Sequence, residues 1–279
     1  MPRIDDGAVA HRSAMDVLVL GARGTLGRLV HEQVAARGHR AIAGRRGEPL
    51  ARADVIVNCA GASVAMALGH GWRGYRAVDV PIGLAAVEHA RATGARLVYV
   101  AAHHTPALRR CAYIDAHERV AEAMASVDGY VVRATGFFAV FAQLLELARH
   151  GWLADIGDGR ARTNPISERD LAEIVVDVAL GAAGPREIAA GGPEVLARRE
   201  LFELVASAAG RPVRIVRAPV WLARGGSALL SLVHPRIGQF ARFAAALATS
   251  DSIAPALGTT RLADYLVSPL QVVGRRTTG

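Results

Sequence analysis

The sequence contains no lysine. All 33 basic residues of the 279-residue chain are arginine, and with 25 acidic residues they give a net charge of +8. This absence excludes any mechanism that needs a lysine ammonium group or a lysine Schiff base, because arginine does not titrate usefully in proteins. The arginines are scattered instead of forming a basic stripe with exposed aromatic residues, so we expect no nucleic-acid partner.

Cysteines and long apolar runs are also scarce. Cys59 and Cys111 are the only cysteines, which excludes a disulfide framework and a cysteine-based metal cluster and fits a reducing compartment. No uninterrupted run of about 20 apolar residues could cross a membrane. Residues 1–14 hold charges where a signal peptide has an apolar core. We therefore expect a cytoplasmic protein with no membrane partner and a flexible N-terminal arm over residues 1–14.

A short apolar run, Val17 to Leu20, ends in a glycine turn of the form Gly21-x-x-Gly24-x-x-Gly27. A helical apolar stripe follows over residues 28–36, and Gly38 is placed to end that helix. A buried strand, a tight glycine turn and a helix N-terminus form the arrangement that binds a pyrophosphate. The pattern predicts a dinucleotide site that includes Arg23, Thr25 and Leu26, and the alternative is an ordinary glycine-rich turn without a ligand.

The next predicted strand, residues 39–44, indicates which dinucleotide is bound. An NAD-binding chain usually places Asp or Glu at this strand's end, about 20 residues after the glycines. This chain has Arg45 and Arg46 there and no acid. Two guanidinium groups could clamp an adenosine 2′-phosphate or stack on adenine, and Arg23 could add a third charge, which favours NADP(H). The alternative is a solvated pair of charges.

Strand and helix patterns alternate along the first 180 residues, which predicts an α/β fold with a doubly wound parallel sheet (Rossmann). The connection from residue 44 to the apolar run at Val55 is short, so we expect one strand of the usual fold to be absent or vestigial. Asp170 is expected to cap a helix. We place the dinucleotide-binding domain at 15–180 and a smaller, mainly helical substrate lid at 181–279. Its helices, about 220–233 and 236–248, are split by His234-Pro235 and rich in apolar residues, so core packing or a dimer interface are the alternatives to a lid.

The chain resembles the atypical short-chain dehydrogenases/reductases, in particular the NmrA-like branch, over about residues 15–265. The resemblance rests on the glycine turn and on five further segments. These are Tyr113-x-x-x-His117-Glu118, where the family has Tyr-x-x-x-Lys, Arg133-Ala-Thr-Gly-Phe-Phe138, Gly157-Asp-Gly159, Asn164-Pro-Ile166 and Asp170-Leu-Ala172.

The family scheme implies that Tyr113 donates a proton to the carbonyl oxygen of the substrate while a nearby cation makes the phenol more acidic. His117, one helical turn away, is the candidate replacement for the lysine, although its ordinary pKa near 6.5 makes it only partly charged at neutral pH. Ala101 and Ala102 occupy the place of the family serine, and Asp79 that of an asparagine. Of the four usual catalytic positions of the family, only Tyr113 matches. The catalytic site is therefore either rebuilt from His103, His104 and His117 or relies on positioning the hydride, with water or the substrate's own hydroxyl giving the proton.

The expected sites divide into two groups. Cofactor contacts are expected from Gly21, Arg23, Gly24, Thr25, Leu26, Gly27, Arg45, Arg46, Cys59, Ala60, Gly61, Ala101, Ala102, His117, Thr135, Gly136 and Phe137. Substrate contacts are expected from His103, His104, Tyr113, Phe138 and Trp152. No metal site is expected, because no third ligand accompanies the two adjacent histidines at a telling spacing.

Two functions are consistent with these residues. The first is an NADPH-dependent ketoreductase for a bulky apolar substrate such as an aromatic polyketide, and the chain looks most like antibiotic-tailoring enzymes of the angucyclinone type. The second is a non-catalytic NADP(H)-binding regulator or structural subunit, which the altered catalytic positions favour. A homodimer is possible in either case.

Overall fold

A computed structural model describes residues 13–62, 71–181 and 184–267. In chain order its strands are β1 (Asp16–Leu20), β2 (Arg40–Ala43), β3 (Val55–Asn58), β4 (Arg96–Ala102), β5 (Gly129–Ala134), β6 (Trp152–Ile156), β7 (Arg162–Thr163), β8 (Glu187–Ala190), β9 (Leu196–Ala197) and β10 (Arg214–Ala218). Its helices are α1 (Thr25–Ala36), α2 (Tyr75–Thr93), α3 (Ala112–Ala123), α4 (Phe138–Ala148), α5 (Glu168–Ala179), α6 (Arg198–Ala208), α7 (Val220–Val233), α8 (Pro235–Leu247) and α9 (Leu262–Val267).

The central sheet is parallel throughout and has the strand order β2-β1-β3-β4-β5-β8 in the described part of the chain. Its inner strands are continuous apolar runs, and every residue of β3 is buried. This pattern is typical of strands that are covered on both faces. Helices α1 and α5 cover one face, and α2 and α3 cover the other. The doubly wound α/β fold predicted from the sequence is therefore confirmed.

The expected loss of one strand is also confirmed. From the edge strand β2 the chain crosses past β1 to β3 through residues 44–54, which form neither helix nor strand. A standard crossover would place a further strand outside β2. Here β2 itself is the edge of the sheet, so the segment after it stays exposed to solvent.

Helix α5 begins earlier than the sequence indicated. The N-cap is Ser167, whose hydroxyl accepts a hydrogen bond from the Asp170 backbone N–H at 3.1 Å. The Asp170 carboxylate instead accepts bonds from Thr259 N, Thr260 N and the Thr260 hydroxyl, each at 2.8 Å. The prediction that Asp170 caps the helix is therefore wrong, because its side chain anchors the C-terminal segment to the sheet domain.

The second half of the chain does not separate at residue 181. Strand β8 lies beyond that point yet forms the outer strand of the central sheet. Helix α4 precedes it yet packs with α6 and α9 around a third core that includes Phe141 and Phe202. Strands β6 and β10 pair beside this core. The chain thus crosses between the two halves more than once.

Helices α7 and α8 form an antiparallel pair at nearly the bounds that the sequence predicts. The pair contacts the central sheet domain through α8, which lies against α3 and the 3-10 turn at Pro106–Leu108. Phe243 of α8 is therefore placed beside Tyr113 of α3. Over the residues the structure describes, no helix is long and apolar enough to span a bilayer. Residues 1–12 of the expected N-terminal arm lie outside the described ranges.

Candidate active site

The glycine turn after β1 is packed so closely against its neighbours that side chains could not be accommodated at Gly21 and Gly27. Gly21 has φ of +79°, and a Cβ there would lie 2.9 Å from the backbone of Ala60. A Cβ on Gly27 would lie 2.2 Å from the Gly21 carbonyl oxygen. The first and third glycines therefore allow β1, α1 and the end of β3 to approach one another closely.

The N-terminus of α1 is left open toward the turn. Its N-cap, Gly24, has no capping side chain, and the first turn holds no acidic residue. The Gly24 N–H is bonded to Gly21 O at 2.8 Å. The next N–H groups, at Thr25 and Leu26, belong to the first turn, where a helix has no internal acceptors for its donors. Together with the positive end of the helix dipole, they favour an anion.

The arginines after β2 lie exposed at the same edge of the sheet. Arg45 Nη1 and Glu48 Oε1 are 3.6 Å apart, and both side chains are exposed, so this pair is weak. No ion pair is found for Arg23 or Arg46 among the described residues. These three cations are available to bind a phosphate.

The end of β3 is closely packed. Asn58 is buried, and its side-chain oxygen accepts a bond from Ala60 N at 3.0 Å, which shapes the turn through Cys59 and Gly61. Burial raises the pKa of the Cys59 thiol to about 12, so it stays protonated and is no nucleophile. This segment faces the glycine turn, where the sequence predicts cofactor contacts.

Asp79 of α2 is a site residue that the sequence analysis placed only by analogy. It is 3% exposed, and its Oδ1 accepts a bond from Ala62 N at 2.5 Å. Its Oδ2 is buried and has no partner within the described ranges. Burial raises the pKa of Asp79 to about 6, although the Ala62 bond and Arg236 act in the opposite direction. The carboxyl thus titrates near neutral pH beside Gly61.

Tyr113 lies in an aromatic cluster on α3. Its ring centroid is 5.0 Å from Tyr75, 5.1 Å from Phe243 and 4.7 Å from His117. Burial raises the pKa of the Tyr113 phenol, and Asp79 and Tyr75 raise it further. The phenol is protonated at neutral pH, which is the form that a proton donor must start from.

The structure contradicts the idea that His117 replaces the lysine cation. Burial lowers the pKa of His117 to about 4, against a small opposing effect of Glu118. Burial also raises the pKa of Tyr99 well above its usual value. The Tyr99 hydroxyl and His117 Nδ1, both neutral, share a hydrogen bond at 2.7 Å. The ring is neutral at pH 7, and no lysine-like charge stands at this position.

The two histidines after β4 are held by other contacts. His104 Nε2 lies 3.2 Å from Glu118 Oε1, and its Nδ1 lies 3.0 Å from Thr105 O. Burial lowers the pKa of His103, whose ring bonds to the backbone of Ile253. Ala101 is buried and Ala102 half-buried, and neither carries a hydroxyl that could hold a substrate oxygen.

Glu118 and Arg133 form an ion pair beside this loop, and both side chains are 13% exposed. Burial raises the pKa of the Glu118 carboxyl, but the hydrogen bond and charge of Arg133, together with His104, outweigh burial, and the pKa is lowered. Arg133 also pairs with Glu187 of β8 at 2.9 Å. Arg133 is thus paired with two carboxylates, Glu118 and Glu187. The spacing of these residues in the sequence gave no sign of this network.

The residues that follow β5 bond to the segment around Asn164 and Ile166. The buried Thr135 hydroxyl donates to Asn164 O at 2.6 Å, and Gly136 O accepts from Ile166 N at 2.9 Å. Phe137 is half-buried against the core between the sheet and α5. These residues lie at the carboxyl edge of the sheet, as predicted, but the Thr135 hydroxyl serves the fold.

Two predicted substrate contacts are wrong. Phe138 is 1% exposed and packs on Tyr265 in the third core, so it does not line a pocket. Trp152 is 53% exposed at the first residue of β6. The other end of that strand, near Gly157, contacts Val220 and Ala248. The indole therefore lies at the far end of β6 from the α7–α8 pair. No metal-binding group of three or more side chains occurs in the part of the chain that the structure describes.

Comparison with known proteins supports the fold. No protein-family model and no curated protein sequence matches this chain. Solved structures do match. The dTDP-4-dehydrorhamnose reductase of Bacillus anthracis, solved in complex with NADP, has a TM-score of 0.65 at 13% identity and covers 91% of this chain and 97% of its own. The chain shares the fold of this enzyme.

Two sugar-nucleotide epimerases are similar as well. The UDP-N-acetylglucosamine 4-epimerase of Bacillus cereus has a TM-score of 0.59 at 12% identity. The UDP-glucose 4-epimerase of Thermus thermophilus, in complex with NAD, has a TM-score of 0.56 at 18% identity. Each covers 74% of this chain and 86% of its own. The comparisons lend no support to the angucyclinone subtype.

Proposed function

We propose that this protein is an NADP(H)-dependent oxidoreductase of the atypical short-chain dehydrogenase/reductase kind, which reduces a carbonyl group. The observation that carries the proposal is the glycine turn, where a Cβ on Gly27 would lie 2.2 Å from Gly21 O. The cofactors of the structural neighbours, NADP and NAD, are consistent with it. Two positions that only glycine can occupy, an uncapped helix N-terminus and the exposed arginines after β2 suit a dinucleotide with a 2′-phosphate.

The residues of the turn and of the β2 end would hold the cofactor. Backbone N–H groups of α1 would bind its pyrophosphate, and Arg45 and Arg46 its 2′-phosphate. When bound, NADPH supplies a hydride from C4 of its nicotinamide. Tyr113, whose ring centroid lies 5.1 Å from that of Phe243, would donate its phenol proton to the carbonyl oxygen.

The substrate we propose is a bulky, largely apolar carbonyl compound, and an aromatic polyketide ketone is one candidate. Its support is the surroundings of Tyr113. Tyr75 and Phe243 flank the phenol, and Leu108, Ala246 and Leu247 pack nearby. A sugar would leave hydroxyl groups facing these apolar side chains without partners, which is costly.

A second candidate function is a non-catalytic NADP(H) binder. It is favoured by the neutral His117, whose pKa of about 4 leaves Tyr113 without a cation that would make the phenol more acidic. A regulator of this kind would keep the glycine turn and the arginines but would transfer no hydride.

One experiment separates the two candidates. NADPH and NADH are titrated by fluorescence, and absorbance of the nicotinamide is then followed with simple ketones, fused-ring quinones and a 4-keto sugar nucleotide. NADPH binding with oxidation by quinones supports the reductase with an apolar substrate, whereas oxidation only by the sugar nucleotide overturns that substrate class. Binding without oxidation across the panel favours the regulator, and no binding of either nucleotide refutes both.

Tyr113→Phe tests the proton donor. We expect it to lower kcat while NADPH binding is retained, because the ring stays in the aromatic cluster and only the hydroxyl is lost. Tyr130→Phe is the matched control, because Tyr130 lies near the amino end of β5. Full activity of Tyr113→Phe would reject the phenol as the acid.

A further inference from the structure

Helix α7 exposes its large apolar side chains to solvent and packs against α8 through its small residues. Trp221 is 73% exposed, Leu229 69%, Leu232 80% and Val233 70%. At 100° per residue these four and Leu222 fall on one side of the helix, and we refer to them as the α7 face. Such a stripe would normally face a core.

The other side of α7 is polar and closely packed. Ser227 is buried, and a Cβ on Gly238 of α8 would lie 2.1 Å from the Ser231 hydroxyl. The serine hydroxyls donate back to carbonyls of their own helix at 2.7 Å. Because small residues fix α7 against α8, the helix cannot rotate to bury its large apolar residues without losing this contact. The described part of the chain therefore leaves the α7 face uncovered.

The charge around this helix identifies the cover. Residues 218–250, which hold α7 and α8, contain no aspartate or glutamate and three arginines. Arg224 of α7 and Arg242 of α8 are exposed, Arg236 of α8 donates to the Arg73 carbonyl, and none of the three has an ion pair in the part of the chain that the structure describes. A second copy placed on the α7 face by a twofold axis would set these arginines against their own copies, with no acid in the segment to pair with them.

Aromatic residues flank both ends of the helix. Trp221 is the second residue of α7, and Trp72 lies at the other end, 5.0 Å from His234 between ring centroids and 58% exposed. Tryptophan is favoured at the boundary between lipid head groups and acyl chains. The α7 face spans about 18 Å, calculated from the helical rise over twelve residues.

We propose that the α7 face binds the surface of an anionic lipid bilayer, with the arginines on lipid phosphates and the apolar side chains among the acyl chains. The sequence analysis expected no membrane partner because the chain has no run that could span a bilayer. A helix that lies in the membrane surface needs no such run. This inference is independent of the proposed oxidoreductase activity.

Vesicle flotation of the full chain tests the proposal. The protein should float with phosphatidylcholine vesicles that contain phosphatidylglycerol and much less with pure phosphatidylcholine, and added salt should weaken the binding. Leu229→Ser/Leu232→Ser should lower partitioning at least about tenfold. Leu147→Ser/Val195→Ser, which alters two exposed apolar residues outside α7, should leave it unchanged.

Two further measurements do not depend on the double serine variant being folded. Arg224→Gln and Arg242→Gln should each lower anionic-vesicle binding roughly fivefold. In a Trp72→Phe/Trp152→Phe variant, Trp221 is the sole tryptophan, and its emission should move to shorter wavelength with anionic vesicles. Absence of flotation, or equal flotation with both lipids, overturns the proposal. A dimer that Leu229→Ser/Leu232→Ser converts to monomer overturns it in favour of a second copy.

Discussion

The Tyr99 hydroxyl lies 2.7 Å from Nδ1 of His117. This bond crosses from β4 to α3 and is formed by two neutral groups, because burial raises the pKa of Tyr99 and lowers that of His117 to about 4. The position that carries a lysine in the family pattern thus holds an uncharged hydrogen-bonding group. His117 orients a tyrosine of the sheet and does not supply charge to Tyr113.

His117→Leu should destabilise the fold by about 1–3 kcal/mol, because it leaves the buried Tyr99 hydroxyl without its hydrogen-bond partner. His117→Gln keeps an acceptor and should lose less. Urea unfolding of both variants at pH 7 measures the difference. Equal losses would show that the Tyr99 bond contributes nothing.

The same residue predicts a dependence of stability on pH. The folded-state pKa of about 4 lies below the ordinary 6.5, so the unfolded chain binds the proton first. Wild-type stability should therefore fall as the pH drops from about 6.5 through 4, by at most about 3 kcal/mol relative to His117→Gln. Exposed His150→Gln is the control, and a constant difference between wild type and His117→Gln over this range would contradict the prediction.

Asp79 predicts a dependence of the opposite sign. Its folded-state pKa of about 6 lies above the ordinary 3.8, so the folded chain holds the proton more tightly. Stability should fall as pH rises from about 4 through 6. The free energy of unfolding of Asp79→Asn minus that of wild type should grow over this window by at most about 3 kcal/mol and level off above pH 7. Exposed Asp128→Asn should show no such growth.

Gly27→Ala tests the glycine turn. A methyl group there would meet the Gly21 carbonyl oxygen, so α1 must shift away from β1 and NADPH affinity should fall at least about tenfold. Gly226→Ala is the matched control, because a Cβ at that position of α7 meets nothing within 4 Å. Unchanged NADPH binding by a folded Gly27→Ala protein would place the dinucleotide elsewhere.

Arg45→Ala/Arg46→Ala tests the choice of cofactor. Charge-assisted bonds to a phosphate are worth about 1.5–3 kcal/mol, so NADPH affinity should fall roughly 10- to 100-fold while NADH affinity stays constant. Arg52→Ala, an exposed arginine in the following loop, is the control. Equal losses of affinity for NADPH and NADH would show that these arginines do not bind the 2′-phosphate.

The sequence alone was sufficient for the local features of this protein. Val55 to Val57 is an unbroken apolar run, and such a run forms a strand buried on both faces. The spacing of Gly21 and Gly27 determined the turn, because a Cβ at either position would meet the neighbouring backbone. The short segment from residue 44 to residue 54 cannot hold a strand and a helix, which explains why the missing strand was predicted correctly.

Only the tertiary structure determined the state of the side chains. Phe138 and His117 have residue types that suit a binding site, yet packing made one a core residue and burial made the other neutral. Asp79 and Tyr99 lie 20 residues apart, and both reach the neighbourhood of Tyr113 and His117 because α2, α3 and β4 converge there. Likewise, an apolar helix pattern cannot show whether its face is covered, since burial depends on what the rest of the chain places against it. Periodicity and spacing are local properties, whereas solvation and electrostatic environment are set by residues distant in the chain.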